Sequence, residues 1–205
     1  MVNKVKIGVV GIQGAISEHI HAIKRALEKE KIHGDTIVVK QPAELNSIDA
    51  LIIPGGESTT ISRFLYQSGL HKKILEIIER KNLPVMGTCA GCVLLAKKIS
   101  NSNGDVKLLN LMNVQVKRNA FGRQKVSFEK QIQINGFDEP YTAVFIRAPA
   151  IEKTWNNCEP LAKIGDKIVM AQQGNLLAIP FHPELTDDLR ILTPNVIFPL
   201  VSLVK

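Results

Sequence analysis

Cys89 lies in the sequence Gly-Thr-Cys-Ala-Gly, which has the form of the nucleophile elbow Gly-x-Ser-x-Gly with cysteine in place of serine. Such an elbow joins a short apolar strand to a helix, and the glycines on either side allow a sharp turn without a Cβ clash. The start of the helix favours a thiolate, the reactive form of cysteine. The same pattern also fits a buried structural cysteine between helix-packing glycines, so this motif alone leaves both interpretations open.

His182 and Glu184 supply what a thiolate nucleophile requires, a base and a carboxylate that orients the base. They follow an apolar strand, and residues two apart on an extended segment point to the same side. We therefore expect Glu184 to hold the His182 ring beside Cys89, although a lone histidine is more often structural or exposed. No cluster has zinc-ligand spacing, so no metal site is predicted. We expect surface positions for the remaining histidines, His19, His21, His33 and His71.

A third segment, Pro-Gly-Gly-Glu-Ser at 54–58, ends another predicted strand. Consecutive glycines let a backbone amide approach a ligand, so the amides of Gly56 and Ala90 are candidates for an oxyanion hole. The alternative is a simple strand-to-helix turn capped by Ser58. All three segments lie at the carboxyl ends of predicted strands, where open α/β sheets place their sites. Their joint occurrence favours catalysis over three unrelated structural features.

The elements that must position these residues alternate between strand and helix in the first half of the chain. Apolar residues at Ile16, Ile20, Ile23 and Leu27 predict the first helix. Further helices are predicted at 59–67, 72–81 and 91–99, and strands at 4–10, 36–39, 50–53 and 84–87. This alternation predicts a three-layer α/β fold with a mostly parallel sheet flanked by helices.

The second half is rich in predicted strands and contains two predicted hairpin turns. The turns are Gly165-Asp166 and Gly174-Asn175. Strands are predicted at 114–117, 127–134, 142–147, 161–164, 167–173 and 175–179. Pro194 and Pro199 predict that the C-terminal tail is not one long helix.

Composition limits the class of protein. A chain of 205 residues that is 45% hydrophobic fits a single domain spanning 1–205. An odd number of cysteines, three, favours a reducing, cytoplasmic setting over a disulfide framework, and no signal peptide or membrane span is predicted. The net charge of +7 is scattered and only 5% of residues are aromatic, which argues against nucleic-acid binding. Solvated faces or an acidic partner surface account for the charge equally well.

Together the three motifs resemble class I glutamine amidotransferases, whose fold is flavodoxin-like. Further segments resemble the glutaminase subunit of pyridoxal 5′-phosphate synthase, and they extend from the first strand nearly to the C-terminus. They are GIQGAISEH at 11–19, PGGESTT at 54–60, RNAFGRQ at 118–124, VFIRAP at 144–149 and FHPELTDD at 181–188. The third and fourth of these are the most specific to this subfamily.

The resemblance implies a triad of Cys89, His182 and Glu184 and no cofactor. It implies a partner synthase in a hetero-oligomer with many copies of each subunit, which uses the ammonia to make pyridoxal 5′-phosphate. Gln13-Gly14 is implied as an activation loop that helps complete the oxyanion hole on docking. Glutamine binding is implied for Gly56, Glu57, Ser58, Arg118, Ile146 and Arg147.

Without the resemblance, Arg118 and Arg147 fit ordinary ion-pair residues as well as ligands of the substrate α-carboxylate.

Two alternative functions also stay open at this point. One alternative is a glutaminase of another pathway, such as histidine biosynthesis, against which the segment at 118–124 argues. The other is a non-catalytic DJ-1-like stress protein, a class that lacks the late His-Pro-Glu sequence.

Overall fold

The computed structural model describes residues 4–101, 104–121 and 127–197. The helices are α1 (Ile16–Lys29), α2 (Ser58–Gln67), α3 (Leu70–Lys81), α4 (Ala90–Leu95) and α5 (Pro194–Ile197). The strands are β1 (Val5–Val10), β2 (Gly34–Val39), β3 (Ala50–Ile53), β4 (Val85–Thr88), β5 (Ala96–Ile99), β6 (Met112–Lys117), β7 (Ser127–Ile132), β8 (Tyr141–Ile146), β9 (Ala150–Thr154), β10 (Glu159–Ile164), β11 (Lys167–Gln173) and β12 (Leu176–Ile179). Short 3₁₀ helices cover Pro42–Ser47, Pro183–Leu185 and Arg190–Leu192.

Within these residues, ten strands form one sheet in the order β2-β1-β3-β4-β12-β11-β9-β6-β5, with β10 paired to β11. The first five strands of this order are parallel to one another. Strands β11, β9 and β6 continue the sheet by antiparallel pairing, and β7 and β8 form a separate hairpin. The predicted α/β class is thereby confirmed.

Helices cover both faces of the parallel part of the sheet. This burial on both sides explains why the sequence of strand β3 is continuously apolar. Leu51 and Ile53 pack into a core with α2, α3 and α4, whereas Ala50 and Ile52 pack into a second core with α1 and β8. Because successive strand side chains point to opposite faces, a strand covered on both sides must be apolar at every position. Each fully buried large aliphatic side chain contributes about 1.5–3 kcal/mol.

One predicted helix was too long, and two strands, β5 and β9, were not predicted. The helix expected at 91–99 ends at Leu95, and the next four residues form β5, parallel to β6. Lys97 Nζ donates to Asn113 Oδ1 at 2.7 Å, and Lys98 Nζ lies 5.8 Å from the centre of the Trp155 ring. Pairing with β6 therefore stabilises residues 96–99 as a strand more than their weak helical pattern stabilises a helix. The unpredicted strand β9 pairs with β6 on its other side.

Both predicted hairpin turns are confirmed, between β10 and β11 and between β11 and β12. Gly165 and Gly174 adopt φ values of 59° and 56°, the left-handed region in which glycine is least strained. Pro194 opens the single-turn helix α5, and the rest of the predicted tail lies outside the described residues. No helix in the described ranges has both the length and the apolar character that crossing a membrane demands.

Candidate active site

Cys89 lies at a strained elbow between β4 and α4. Its φ of 48° and ψ of −103° fall in a region that costs a non-glycine residue on the order of 1–3 kcal/mol. The Cys89 N–H donates to the carbonyl of Ile179 at 2.7 Å, which ties the elbow to the end of β12. A Cβ on Gly87 would lie 2.5 Å from the backbone of Gly91, and one on Gly91 would lie 1.9 Å from the carbonyl oxygen of Ile53. The glycines are therefore required by close packing, as predicted.

His182 and Glu184 meet Cys89 at this elbow. His182 Nδ1 lies 2.7 Å from Glu184 Oε1, and the ring interacts electrostatically with the Cys89 thiol. The two residues are only 8% and 7% exposed. The predicted meeting occurs, but its predicted cause was wrong, because Pro183–Leu185 is a 3₁₀ helix and not an extended segment. The tight turn folds Glu184 back onto the ring. The backbone N–H of His182 donates to Val144 O at 2.8 Å.

The electrostatics of the three residues favour an imidazolium–carboxylate pair. Burial lowers the pKa of His182, but its interactions with Cys89 and Glu184 outweigh this effect and raise the pKa to about 10. Burial also raises the pKa of Glu184, and the hydrogen bond from His182 reverses this effect, so the pKa of Glu184 is lowered overall. A protonated His182 beside a sulfur atom can stabilise a thiolate and later donate a proton.

The raised pKa of His182 predicts a stability that falls as pH rises. An unfolded imidazole titrates near 6.5, whereas the folded one keeps its proton to about pH 10. The stabilisation is therefore complete below about pH 6.5 and is lost above it, by at most about 1.4 kcal/mol per pH unit. Urea denaturation between about pH 6.5 and 7.5, below the usual pKa values of cysteine and tyrosine, should show the stability difference between wild type and His182→Asn shrinking as pH rises. A difference that does not change with pH would contradict this assignment.

The elbow opens into a cavity of about 570 Å³, a volume in the range of small-molecule sites. Its wall contains Asp105 and Asn119, which were not predicted, and most of the residues that were. Glu184 lies behind His182 and out of the wall. The predicted residues that line it are Gln13, Gly56, Glu57, Ser58, Cys89, Ala90, Arg118, Ile146, Arg147 and His182.

The glycine loop after β3 is packed between the loop after β1 and the His182 ring. A Cβ on Gly14 would lie 1.6 Å from the carbonyl oxygen of Gly55, and one on Gly55 would lie 2.7 Å from His182 Cε1. Gly56 adopts a φ of 153° against the carbonyl of Gln13. Movement of the Gln13-Gly14 backbone would therefore displace the loop that carries the Gly56 amide.

The start of α2 corrects the simple capping interpretation of this loop. The carboxylate of Glu57, not the Ser58 hydroxyl, accepts the Thr59 N–H at 3.4 Å and caps the helix. Ser58 is the first helical residue, and its hydroxyl accepts from Arg118 Nη1 at 3.4 Å. Ser58 therefore faces the cavity and the arginine.

Both predicted arginines reach the cavity wall. Arg118 is held by two backbone hydrogen bonds with the Asn101 side chain, each of 2.9 Å, and its guanidinium is 3.1 Å from Asp105 Oδ2. Arg147 adopts a left-handed φ of 42°. The N–H of Ala120 donates to Ala148 O at 3.0 Å, so the two arginine-bearing segments are joined. Residues 122–124 of the RNAFGRQ segment lie outside the described residues.

The expectation of a surface position was wrong for His19. Its side chain is completely buried on α1, and Nε2 lies 3.0 Å from Thr88 Oγ1 and 3.3 Å from Glu184 Oε2. The sequence contained a signal, because position 19 falls on the same helical stripe as Ile16 and Ile23, three and four residues away. His21 and His33 are exposed, as predicted.

Comparison with known proteins assigns the family. Residues 9–197 match the SNO glutamine amidotransferase family. The chain belongs to this family. A relative from Pyrococcus furiosus named "Pyridoxal 5′-phosphate synthase subunit PdxT" is 51% identical over 188 residues, which cover 91% of this chain and 95% of the relative. A protein of the same name from Thermococcus onnurineus is 48% identical over 187 residues, covering 91% and 94%.

Solved structures agree with the family assignment. A crystal structure of a glutamine amidotransferase superposes with a TM-score of 0.80 at 39% identity, covering 90% of this chain and 94% of that one. The resemblance seen in the motifs of this SNO family member is thereby confirmed, and so is its fold class. The alternatives of a different pathway and of a non-catalytic stress protein lose their support.

Proposed function

We propose that this chain is the glutaminase subunit of a pyridoxal 5′-phosphate synthase, hydrolysing L-glutamine and passing ammonia to a synthase subunit. Membership of a glutamine amidotransferase family makes the chain an enzyme, and its relatives at about half identity carry the name of that subunit. The observation that carries the proposal is the contact of Cys89, His182 and Glu184 at the wall of one cavity. The arginines and Glu57 in its wall are opposite in charge to the α-carboxylate and α-ammonium of glutamine.

In the first half of the proposed reaction, Cys89 attacks as a thiolate with its proton held on His182. The sulfur bonds to the side-chain amide carbon of glutamine, and the carbonyl electron pair moves onto oxygen. The amides of Gly56 and Ala90 stabilise this oxyanion, each worth roughly 10²–10³ in turnover. Collapse of the intermediate breaks the C–N bond, and His182 donates the proton that releases ammonia.

In the second half, the neutral His182 accepts a proton from water, which attacks the thioester carbonyl. The same two amides hold the second oxyanion. Its collapse breaks the C–S bond, releases glutamate and restores the thiolate–imidazolium pair. Glu184 keeps its bond to Nδ1 throughout, so the other ring nitrogen alone exchanges protons with the reacting atoms.

The proposed recognition of glutamine uses the charged end of the cavity. An arginine suits an α-carboxylate because its N–H groups form paired, charge-assisted hydrogen bonds, and both Arg118 and Arg147 line the wall. Glu57 suits the α-ammonium by charge. We assign Ser58 and Ile146 to the same subsite, the latter through its apolar side chain, which is 37% exposed.

The proposed partner is a synthase subunit that docks near the Gln13-Gly14 loop. The support is the packing of this loop on Gly55, since docking that moves it would also move the Gly56 amide. A hetero-oligomer with several copies of each subunit extends this proposal. The free thiols of Cys89, Cys92 and Cys158 suit a reducing cytoplasm.

Ammonia release from glutamine, measured with and without a pyridoxal 5′-phosphate synthase subunit, tests this function. We expect slow release from the chain alone, faster release from the mixture, and pyridoxal 5′-phosphate formation with glutamine as the nitrogen source. As a control, a separate sample of the chain is treated with iodoacetamide to show that Cys89 is reactive. If untreated chain with reactive Cys89 releases no ammonia in either case, the glutaminase assignment is overturned. Release without formation of the product would overturn the partner.

A further inference from the structure

His19 contacts one member of the proposed triad, Glu184, and the residue next to another, Thr88. Its imidazole is completely buried on α1. Nε2 forms a 3.0 Å hydrogen bond with Thr88 Oγ1, the residue directly before the nucleophile, and lies 3.3 Å from Glu184 Oε2. The other carboxylate oxygen of Glu184 is the one bonded to His182. A single ring nitrogen therefore sits between the strand that carries Cys89 and the carboxylate that orients the base.

We propose that His19 is a positioning residue of the triad. Its neutral imidazole, with the proton on Nε2, holds the Thr88 and Glu184 side chains in a fixed position relative to each other. The proposal rests on the assignment of Cys89, His182 and Glu184 given above. In this role His19 fixes the rotation of the Glu184 carboxylate, so that Oε1 stays aimed at His182 Nδ1. Glu184 Oε2 makes no hydrogen bond within the described part of the chain, and His19 Nε2, 3.3 Å away, is a donor placed to supply one.

The hydrogen-bond partners decide which nitrogen carries the proton. His19 Nδ1 is buried and has no hydrogen-bond partner among the described residues. A buried N–H without an acceptor costs about 1–3 kcal/mol. A proton on Nε2 instead faces two oxygen acceptors, Thr88 Oγ1 and Glu184 Oε2. The geometry therefore favours the Nε2–H tautomer.

Burial favours the neutral form of the His19 ring despite the carboxylates around it. Burial lowers the pKa of His19, the Glu184 carboxylate raises it, His182 lowers it and Glu18 raises it, with a net lowering. Neutrality has a consequence for the triad. A cation at position 19 would compete with the His182 imidazolium for the Glu184 carboxylate, whereas a neutral donor orients the carboxylate and leaves its charge for His182.

Simple packing does not account for a histidine at this position. The neighbours of His19 on α1, Ala22 and Ile23, are buried and apolar. A polar ring among them is costly unless it is hydrogen-bonded, and leucine would fill the space without that cost. Tying α1 to β4 is a structural role that remains compatible with these contacts, so the test must include readouts that such a role would not move.

The test compares His19→Gln, His19→Asn and His19→Leu in the full-length chain. A glutamine amide places an N–H about as far from Cα as imidazole Nε2, an asparagine amide is too short, and leucine has no donor. The first readout is the pKa of His182, measured by NMR titration of its ring nitrogens in the isolated chain. This measurement does not depend on glutaminase activity. The second is kcat and KM for glutamine in the presence of the synthase subunit.

We expect the Leu and Asn variants to lower kcat by about 10–100-fold, the usual effect of losing a group that orients a functional side chain, with KM within about threefold of wild type. The pKa of His182 should fall by about one unit, since a rotated carboxylate pairs with it less well. His19→Gln should recover most of both losses. If the Leu variant does not fold, the Asn variant decides.

The proposal is overturned if the pKa of His182 is unchanged or raised in the Asn variant, or if Gln behaves like Asn. A purely structural His19 would give variants with a lower melting temperature and an unchanged His182 titration. If wild type releases no ammonia even with the synthase subunit, the proposed function fails, while the NMR titration still tests His19 independently.

Discussion

Replacing Cys89 with alanine is expected to lower glutaminase turnover by a factor on the order of 10⁴ or more, to the background of the assay. The proposed nucleophile is lost, while the amides and the arginines proposed to bind the oxyanion and glutamine stay in place. The substitution removes one sulfur atom from a side chain that is only partly buried, so the fold should persist. Ammonia release in the presence of the synthase subunit measures the loss, and calorimetric titration with glutamine checks that binding is retained.

The matched control is Cys92→Ala, three residues further along on α4. Cys92 is completely buried, and burial raises the pKa of its thiol far above the usual range, so it stays a neutral packing group. This variant should keep turnover within a few-fold of wild type and lose some stability to a small cavity. Ammonia release by the Cys89 variant at a rate near that of the Cys92 variant would remove Cys89 from the nucleophile role.

The second large effect is expected from Gly91→Ala, which should destabilise the fold by about 2 kcal/mol or more, or prevent folding. Two effects oppose each other at this position. Alanine is favoured over glycine in a helix by about 1 kcal/mol. However, its Cβ would lie 1.9 Å from the carbonyl oxygen of Ile53, the last residue of the inner strand β3. A backbone atom cannot rotate away, so overpacking, usually worth about 1–3 kcal/mol and occasionally more, should dominate.

Gly165→Ala is the control for this prediction. Gly165 has a left-handed φ of 59°, and a Cβ there would meet nothing within 4 Å. It should cost only about 1 kcal/mol, the ordinary penalty for alanine in that region. Urea denaturation of the two variants beside wild type measures both effects. Equal stability of Gly91→Ala and Gly165→Ala would show that α4 can move away from β3 at little cost.

The sequence was sufficient to predict the features that depend on local chemistry. The all-apolar strand at Ala50–Ile53 was predicted with its observed bounds, because a doubly covered strand has no polar position. The elbow at Cys89 was predictable because its glycines are dictated by close contacts that few other residues allow. The cavity could be anticipated from strand ends, since parallel strands deliver the residues that follow them to one edge of the sheet.

The features that escaped prediction depend on contacts between distant segments. Strand β5 carries Lys97 and Lys98 and becomes a strand only because β6 pairs with it. The approach of Glu184 to His182 depends on a 3₁₀ turn that period-two reasoning does not describe. The burial of His19 depends on Thr88 and Glu184, residues 69 and 165 positions further along the chain. Helical spacing indicated the buried face, but not the partners there.

The chain contains a single tryptophan, Trp155, and its place beside Lys98 has a practical consequence. The residue follows β9, and its backbone N–H donates to Asn113 O at 3.1 Å, so it belongs to the antiparallel end of the sheet and not to the cavity wall. Its ultraviolet emission should therefore report the opening of that sheet edge while staying insensitive to glutamine. This intrinsic fluorophore allows loss of structure and loss of catalysis to be followed separately in the same cuvette.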